Sequence, residues 1–273
     1  MNKMWIASGL GVFLILLCVL WGSFYPKQWE QMEERLRRRG IRVLNATGVL
    51  QVICAKIVPP QAAAAPDGPV RIWPIGDSIT EGLPSYSSYR YWLWHLLREN
   101  ASKVEFVGTK TGISETSPLH PDFDQRHNAY SGYRADDVFP LIAFAGRTVS
   151  FDIALIHLGT NDIAFRETPR ETSRDLENLI SVLRIRNPQA TILLAEIIPV
   201  SGNERAFGEL NRNLRKFAQR IRTETSAVIT VDMNSGFDPK LLTYDGIHPT
   251  EAGEQFIAQR WFAALKPVLR PTS

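Results

Sequence analysis

Cysteine is nearly absent. Cys18 and Cys54 are the only two in 273 residues, and both precede the Pro/Ala run "PPQAAAAPDGP" at 59–69. The chain beyond that run therefore has neither a disulfide framework nor a Cys-based metal site. Net charge is scarce there too. Residues 1–67 carry 8 Lys or Arg against 4 Asp or Glu, and the remainder carries 23 against 24. The larger part has no net positive field of the kind that holds nucleic acid, so no nucleic-acid partner is expected. Histidine is sparse, at five in all, and no two have the spacing of a metal-ligand pair. No metal and no cofactor are expected. Repeats and low-complexity blocks are missing after residue 70.

A long apolar run occurs once, over Met4–Phe24, broken only by small residues such as Ser8, Gly9, Gly11 and Gly22. It is long enough to cross a bilayer. It ends in Trp21, Phe24, Tyr25 and Trp29, bulky aromatics that suit a membrane interface rather than a signal-peptidase site. Residues 1–25 are thus expected to form an uncleaved membrane anchor or signal segment, with the membrane as a partner. Residues 26–70 read as a basic juxtamembrane segment (Arg35, Arg37, Arg38, Arg39) and a Pro/Ala linker. The basic group alone would hold the C-terminal side in the cytoplasm. A second, weaker apolar stretch at 41–58 would reverse that if it crossed, or would act as a cleaved signal if translation began at Met32. The expected location is membrane-anchored or exported with the main domain extracytoplasmic; cleavage and topology stay open.

After the linker the periodicity alternates. "VRIWPI", "KVEFVG", "DIALIHLG", "ATILLAEIIPV" and "AVITVD" are short apolar runs that read as strands. Between them lie helical patterns. One carries Trp92, Leu93, Leu96 and Leu97 inward; another is opened by Thr168, Pro169 and Glu171 as a capping box with proline in its first turn. A third is spaced by Phe207, Leu210, Leu214, Phe217 and Ile221, and a last by Phe256, Ile257, Trp261, Phe262 and Leu265. Strand and helix alternate about five times. That predicts an α/β fold over residues 71–267: a three-layer α/β/α sandwich with about five parallel strands and right-handed crossovers. Functional residues in such sheets gather at the carboxyl ends of the strands.

Four chemistry-bearing stretches fall there. The first strand ends in Gly76-Asp77-Ser78, and "DIALIHLG" runs into Thr160-Asn161-Asp162. A loop carries "NAYSGYRADD" with Gly132 ahead of a helix, and Asp245 and His248 stand in "YDGIHPTEAG" before the final helix. Ser78-Ile79-Thr80-Glu81 also fits a capping box, so Ser78 reads equally as a helix cap and as a nucleophile, with Asp77 in support. His248 favours the nucleophile, because a serine hydroxyl needs a base and imidazole serves near neutral pH. Asp245 can set the imidazole tautomer from the same loop. The Ser78 and Gly132 backbone N–H groups and the Asn161 amide are the candidate donors for an oxyanion. His157 reads as a satisfied core residue and His95 as structural, whereas His120 and His127 would line a cleft. Tyr86 and Tyr130 are the candidate surface aromatics.

"GDSIT", the loop glycine, "GTND" and "DGIHP", in this order and spacing, resemble the four blocks of the SGNH (GDSL-type) hydrolases over about residues 71–266. The resemblance implies a flavodoxin-like sandwich, with Ser78 as nucleophile, Gly132 and Asn161 completing the oxyanion hole, Asp245 as orienting acid and His248 as base. "RIWPIGDSITEG", "SSYRYWLWHLL", "VEFVGT" and "YSGYRADDV" are similar to the branch of acetylxylan esterase-type carbohydrate esterases. That branch often carries His-Glu-Gly before its loop glycine, where this chain has His127-Asn128-Ala129. The expected activity is hydrolysis of a small O-acyl ester, acetyl above all, on a carbohydrate. The alternatives are a lipid esterase or lysophospholipase, a sugar O-acyltransferase, and a catalytically silent carbohydrate-binding domain.

Overall fold

A computed structural model of the chain divides into two compact units, Met1–Ile57 and Val58–Ser273. The structure describes residues 61, 68–100, 103–114, 116–165, 167–200 and 202–269. The expected anchor, the second apolar stretch and both cysteines lie outside the described residues.

Six strands form one sheet: β1 (Val70–Gly76), β2 (Val104–Phe106), β3 (Asn128–Ala129), β4 (Ile153–His157), β5 (Thr191–Ala195) and β6 (Val228–Val231). Every pairing is parallel, and the main path runs β2-β1-β4-β5-β6. With β3 set aside this is the flavodoxin-like order. β3 is an addition to the five expected strands. Ile72 pairs with Phe106 on one side and Ile153 on the other, while Ile75 pairs with Asn128 and Ile156. β2 and β3 therefore share one edge of β1, β3 at its carboxyl half. A two-residue strand of Asn and Ala leaves no apolar run to read. β4 is buried at all five positions and β1 from Ile72 onward, as expected where helices cover both faces.

Among the described residues the helices are α1 (Ser78–Glu81), α2 (Tyr89–Glu99), α3 (Ala135–Ala145), α4 (Thr160–Ala164), α5 (Pro169–Arg186), α6 (Glu204–Ile221), α7 (Pro239–Leu242) and α8 (Glu251–Leu265). α5 starts as its sequence predicts: Thr168 accepts the Glu171 amide, Glu171 reaches back, and Pro169 stands at the first position. α2 packs on α8, and α3, α5 and α6 pack in turn against one another. Tyr89, Leu93 and Leu97 of α2 and Ile257, Trp261 and Leu265 of α8 are wholly buried in one cluster with Ile72, Leu155 and Leu193 of the sheet. At about 1.5–3 kcal/mol for each large side chain, this contact fixes α8, and hence the loop before it, to the sheet.

Two helix-face expectations change. Trp92 and Leu96 are only partly buried, and Arg90 takes the inward place with Tyr89, Leu93 and Leu97. Phe256 and Phe262 likewise lie at the margin of the core. The linker also reaches the domain before residue 71. The Gln61 side chain donates to the Phe151 carbonyl (2.5 Å) and accepts its amide (2.8 Å), pairing as a strand would.

Candidate active site

The carboxyl end of β1 turns at once into α1. A Cβ on Gly76 would stand 2.1 Å from Thr80 Oγ1 and 2.9 Å from the His157 carbonyl, so only glycine lets the helix fold back over the strand end. Asp77, not Ser78, caps α1: its Oδ1 accepts the Ile79 amide at 3.0 Å. Ser78 is the first helical residue and is 7% exposed. The cap reading of Ser78 thus falls by one register step, which frees its hydroxyl. α1 ends after a single turn at Gly82, whose φ of 84° closes it.

Ser78 Oγ lies 2.9 Å from His248 Nε2, and His248 Nδ1 lies 2.6 Å from Asp245 Oδ2. Asp245 Oδ1 also accepts the amides of Ile247 (2.9 Å) and His248 (2.7 Å). Partial burial pushes the Asp245 pKa up, but the His248 ring and the two amides outweigh it and hold the carboxyl below the usual range. An ionised carboxylate only accepts, so Nδ1 carries a proton toward Asp245, and in the neutral imidazole Nε2 is the nitrogen that accepts from Ser78. The loop that holds the pair is closed by the Tyr244 amide on the His248 carbonyl (3.0 Å) and a Thr243–Pro249 bridge.

Gly132 stands at the third position of a turn closed by the Tyr133 amide on the Tyr130 carbonyl (3.2 Å). Its φ of 79° marks a type II turn, which glycine favours. Among the described residues, neither the Gly132 nor the Ser78 amide donates to a backbone carbonyl. Asn161 Nδ2 donates to the Tyr133 carbonyl at 2.9 Å, which ties the β4 end to the Gly132 turn and leaves one amide hydrogen over. Asp162 accepts the Ala135 amide on both oxygens at 3.1 Å. Burial, with the charge of Glu167 adding, pushes its pKa up to about 8.

Asp77 is wholly buried and outside the Ser78–His248–Asp245 chain. Burial pushes it up to about 7, against the Ile79 amide, the field of His248 and the nearby Thr160 hydroxyl. Thr160 acts at a distance: among the described residues, Asp77 Oδ2 and Thr160 Oγ1 each lack a hydrogen bond of normal geometry.

Beside Ser78 lies a cleft of about 210 Å³, including the part open to solvent, walled by His248, Tyr86, Tyr244, Leu83 and Glu254. Tyr86 stacks on Tyr244 (5.1 Å, 7°), and Tyr244 on His248 (5.9 Å, 20°). Tyr130 is elsewhere, stacked on Tyr133 with its hydroxyl on Asn128. His127 is fully buried, its Nδ1 accepting the Ala129 amide, and His120 stacks on Tyr91; neither walls this cleft. His157 is buried as expected, yet among the described residues neither ring nitrogen has a hydrogen-bond partner, and burial lowers its pKa to about 4.

Residues 75–256 match the model of the GDSL-like lipase/acylhydrolase family. The chain belongs to that family. As a GDSL-type protein it is an SGNH serine hydrolase, and its relatives are esterases. It is 26% identical over 225 residues to a multidomain esterase of Ruminococcus flavefaciens, covering 74% of this chain but only 29% of that protein. Its structure is similar to a carbohydrate esterase family 3 protein from Talaromyces cellulolyticus, with TM-score 0.67 and 26% identity over 75% of this chain and all of the other. An acetyl esterase mutant determined with an acetate ion gives TM-score 0.65 and 26% identity, over 73% and 97% of the two chains.

Two buried charged residues, one at the cleft wall and one beneath α1, are absent from the sequence analysis. Glu254, 5% exposed, accepts the Ser88 amide (2.9 Å) and Trp92 Nε1 (3.3 Å) at the cleft wall. Arg90 is fully buried and donates to the carbonyls of Thr80 (2.8 Å), Glu81 (2.9 Å), Gly112 (2.6 Å) and Gln125 (2.6 Å). Both stand in the apolar stripe of their helices, at i, i+3, i+7 with Leu93 and Leu97, and with Ile257 and Trp261. A charged residue in such a stripe was the signal.

Proposed function

We propose that this GDSL-type hydrolase removes small O-acyl groups, acetyl above all, from a carbohydrate through an acyl-enzyme. The observation that carries the reading is the hydrogen-bonded chain Ser78–His248–Asp245 at 2.9 and 2.6 Å. In this reading the Ser78 proton passes to His248 Nε2 as Oγ bonds the acyl carbon, and Asp245 stabilises the imidazolium. The oxyanion is held by the Ser78 and Gly132 amides and the Asn161 side chain, each such donor contributing roughly 2.7–4 kcal/mol. His248 then protonates the leaving sugar oxygen as the acyl–oxygen bond breaks. It next takes a proton from water, whose oxygen attacks the acyl-enzyme; Ser78 is released with its proton restored, and the acid leaves.

The short acyl group rests on the acetyl esterase, determined with an acetate ion, to which the structure is similar. The carbohydrate half rests on the carbohydrate esterase family 3 structure to which the chain is similar. The experiment is turnover of p-nitrophenyl acetate, butyrate and octanoate, and acetate release from acetylated xylan, by the full chain beside Ser78→Ala. Serine-dependent turnover that favours acetate supports the reading. Turnover that rises with chain length makes the enzyme a lipid esterase, and equal rates from both proteins refute Ser78 as nucleophile. We further propose that the Met4–Phe24 segment holds the enzyme on a membrane with its catalytic domain outside the cytoplasm, tested by protease accessibility of the domain on intact cells.

A further inference from the structure

The proposed mechanism leaves unused a buried carboxylate one helical turn from Ser78. Glu81 is 5% exposed. Its Oε2 accepts the Ser131 amide at 2.7 Å, and its Oε1 pairs with Lys110 Nζ. Lys110 also donates to the Ala129 carbonyl at 2.8 Å and lies 4.6 Å over the Tyr130 ring. One side chain of α1 thus grips the residue next to Gly132, and its counter-ion grips the two residues before that.

We infer that Glu81 is a positioning residue that sets the Gly132 amide relative to the Ser78 hydroxyl; the inference rests on the hydrolase reading above. The turn is already held at its ends, by the Tyr130 amide on the Gly76 carbonyl (3.0 Å) and by Asn161 on the Tyr133 carbonyl. Glu81 holds its middle. An oxyanion donor acts only at hydrogen-bond distance from where charge develops, and displacement by about 1 Å can cost on the order of 100-fold in rate. Stability alone explains the arrangement poorly, since a buried ion pair offsets little more than its own desolvation. A carboxylate on the nucleophile's own helix is a short, stiff link to the donor turn.

The test uses the full chain with p-nitrophenyl acetate. Glu81→Ala removes the acceptor. Ser131→Pro removes the amide at the second position of a type II turn, where proline is favoured, and it carries the test should Glu81→Ala fail to fold. Each single variant is expected to lower kcat roughly 10- to 100-fold with KM within about threefold, somewhat less than outright loss of a donor. Affinity for methylboronic acid, which forms a tetrahedral adduct on the serine oxygen, should fall in proportion. The double variant should be no slower than the slower single, because both remove one bond. The inference is overturned if Ser78→Ala is inactive while both singles stay within about threefold of the parent kcat. It is equally overturned if the two losses multiply, or if Tm falls while boronate affinity holds. Turnover that survives Ser78→Ala would instead sink the hydrolase reading, and the inference with it.

Discussion

Replacing Glu254 with glutamine should change the pH dependence of stability more than stability itself. Glu254 is buried at the cleft wall, and burial lifts its pKa from 4.5 to about 7, against hydrogen bonds from Trp92 and Ser88. A carboxyl whose folded pKa lies above its unfolded value binds more protons in the native state between the two. Stability therefore falls as pH rises through that window, by about 3 kcal/mol in full and roughly 2–3 kcal/mol between about pH 5 and pH 8. Glutamine does not titrate, so it escapes that loss. It must, however, turn its NH₂ toward one of two donors, at about 1–3 kcal/mol. Glu254→Gln should thus be clearly less stable than the parent near pH 5 and close to it near pH 8. At 2–4 °C per kcal/mol, the Tm gap should close by about 5–10 °C. Glu251, Arg90 and Tyr244 also act on this carboxylate or feel it, but they are common to both proteins. A Tm gap that stays constant across this range would refute the argument. The same proton matters for the cleft, because the Ser88 amide held by Glu254 belongs to a backbone at φ 69°, a conformation that costs a non-glycine residue about 1–2 kcal/mol.

Three further outcomes are expected. Asn161→Ala should lower kcat by about 10²–10³-fold with a small change in Tm, since it removes a donor and the link to Tyr133; an unchanged kcat would remove Asn161 from the oxyanion site. Gly132→Ala meets no atom within 4 Å, but a φ of 79° is strained for alanine, so urea unfolding should show a loss of only about 1–2 kcal/mol from the backbone, while kcat falls as the strained turn relaxes from that φ. Arg90→Met takes the donor from four carbonyls, two of them in buried residues (Thr80 and Glu81) and two in half-buried ones (Gly112 and Gln125), and should cost roughly 2–4 kcal/mol in urea unfolding; parental stability would show that water replaces the guanidinium.

Much of the site was legible because its parts sit in local, directional patterns. The strand "DIALIHLG" and the turn chemistry around Gly132 and Asp245 need no distant partner to be read. Other features needed the third dimension. Ser-x-x-Glu at 78–81 reads as a capping box, yet Asp77 took the cap one residue earlier, and Glu81 was drawn to Lys110 and Ser131, which lie 29 and 50 residues away. His157 reads correctly as buried, but whether its ring finds partners depends on neighbours from other strands, and among the described residues it finds none.

The sequence by itself determined the alternation of strand and helix, the carboxyl edge where Ser78, Asn161 and His248 gather, and the family. The first two follow from hydrophobic period and backbone chemistry, which act over a few residues, and the family from the resemblance of four short motifs. Tertiary structure alone decided that Ser78 faces Nε2 of His248 at 2.9 Å, that Tyr86 and Tyr244 stack into a wall beside it, and that Glu81, Arg90 and Glu254 are buried. Burying a charge is costly unless other segments bring hydrogen-bond partners to it, and those partners come from parts of the chain whose meeting no local pattern records.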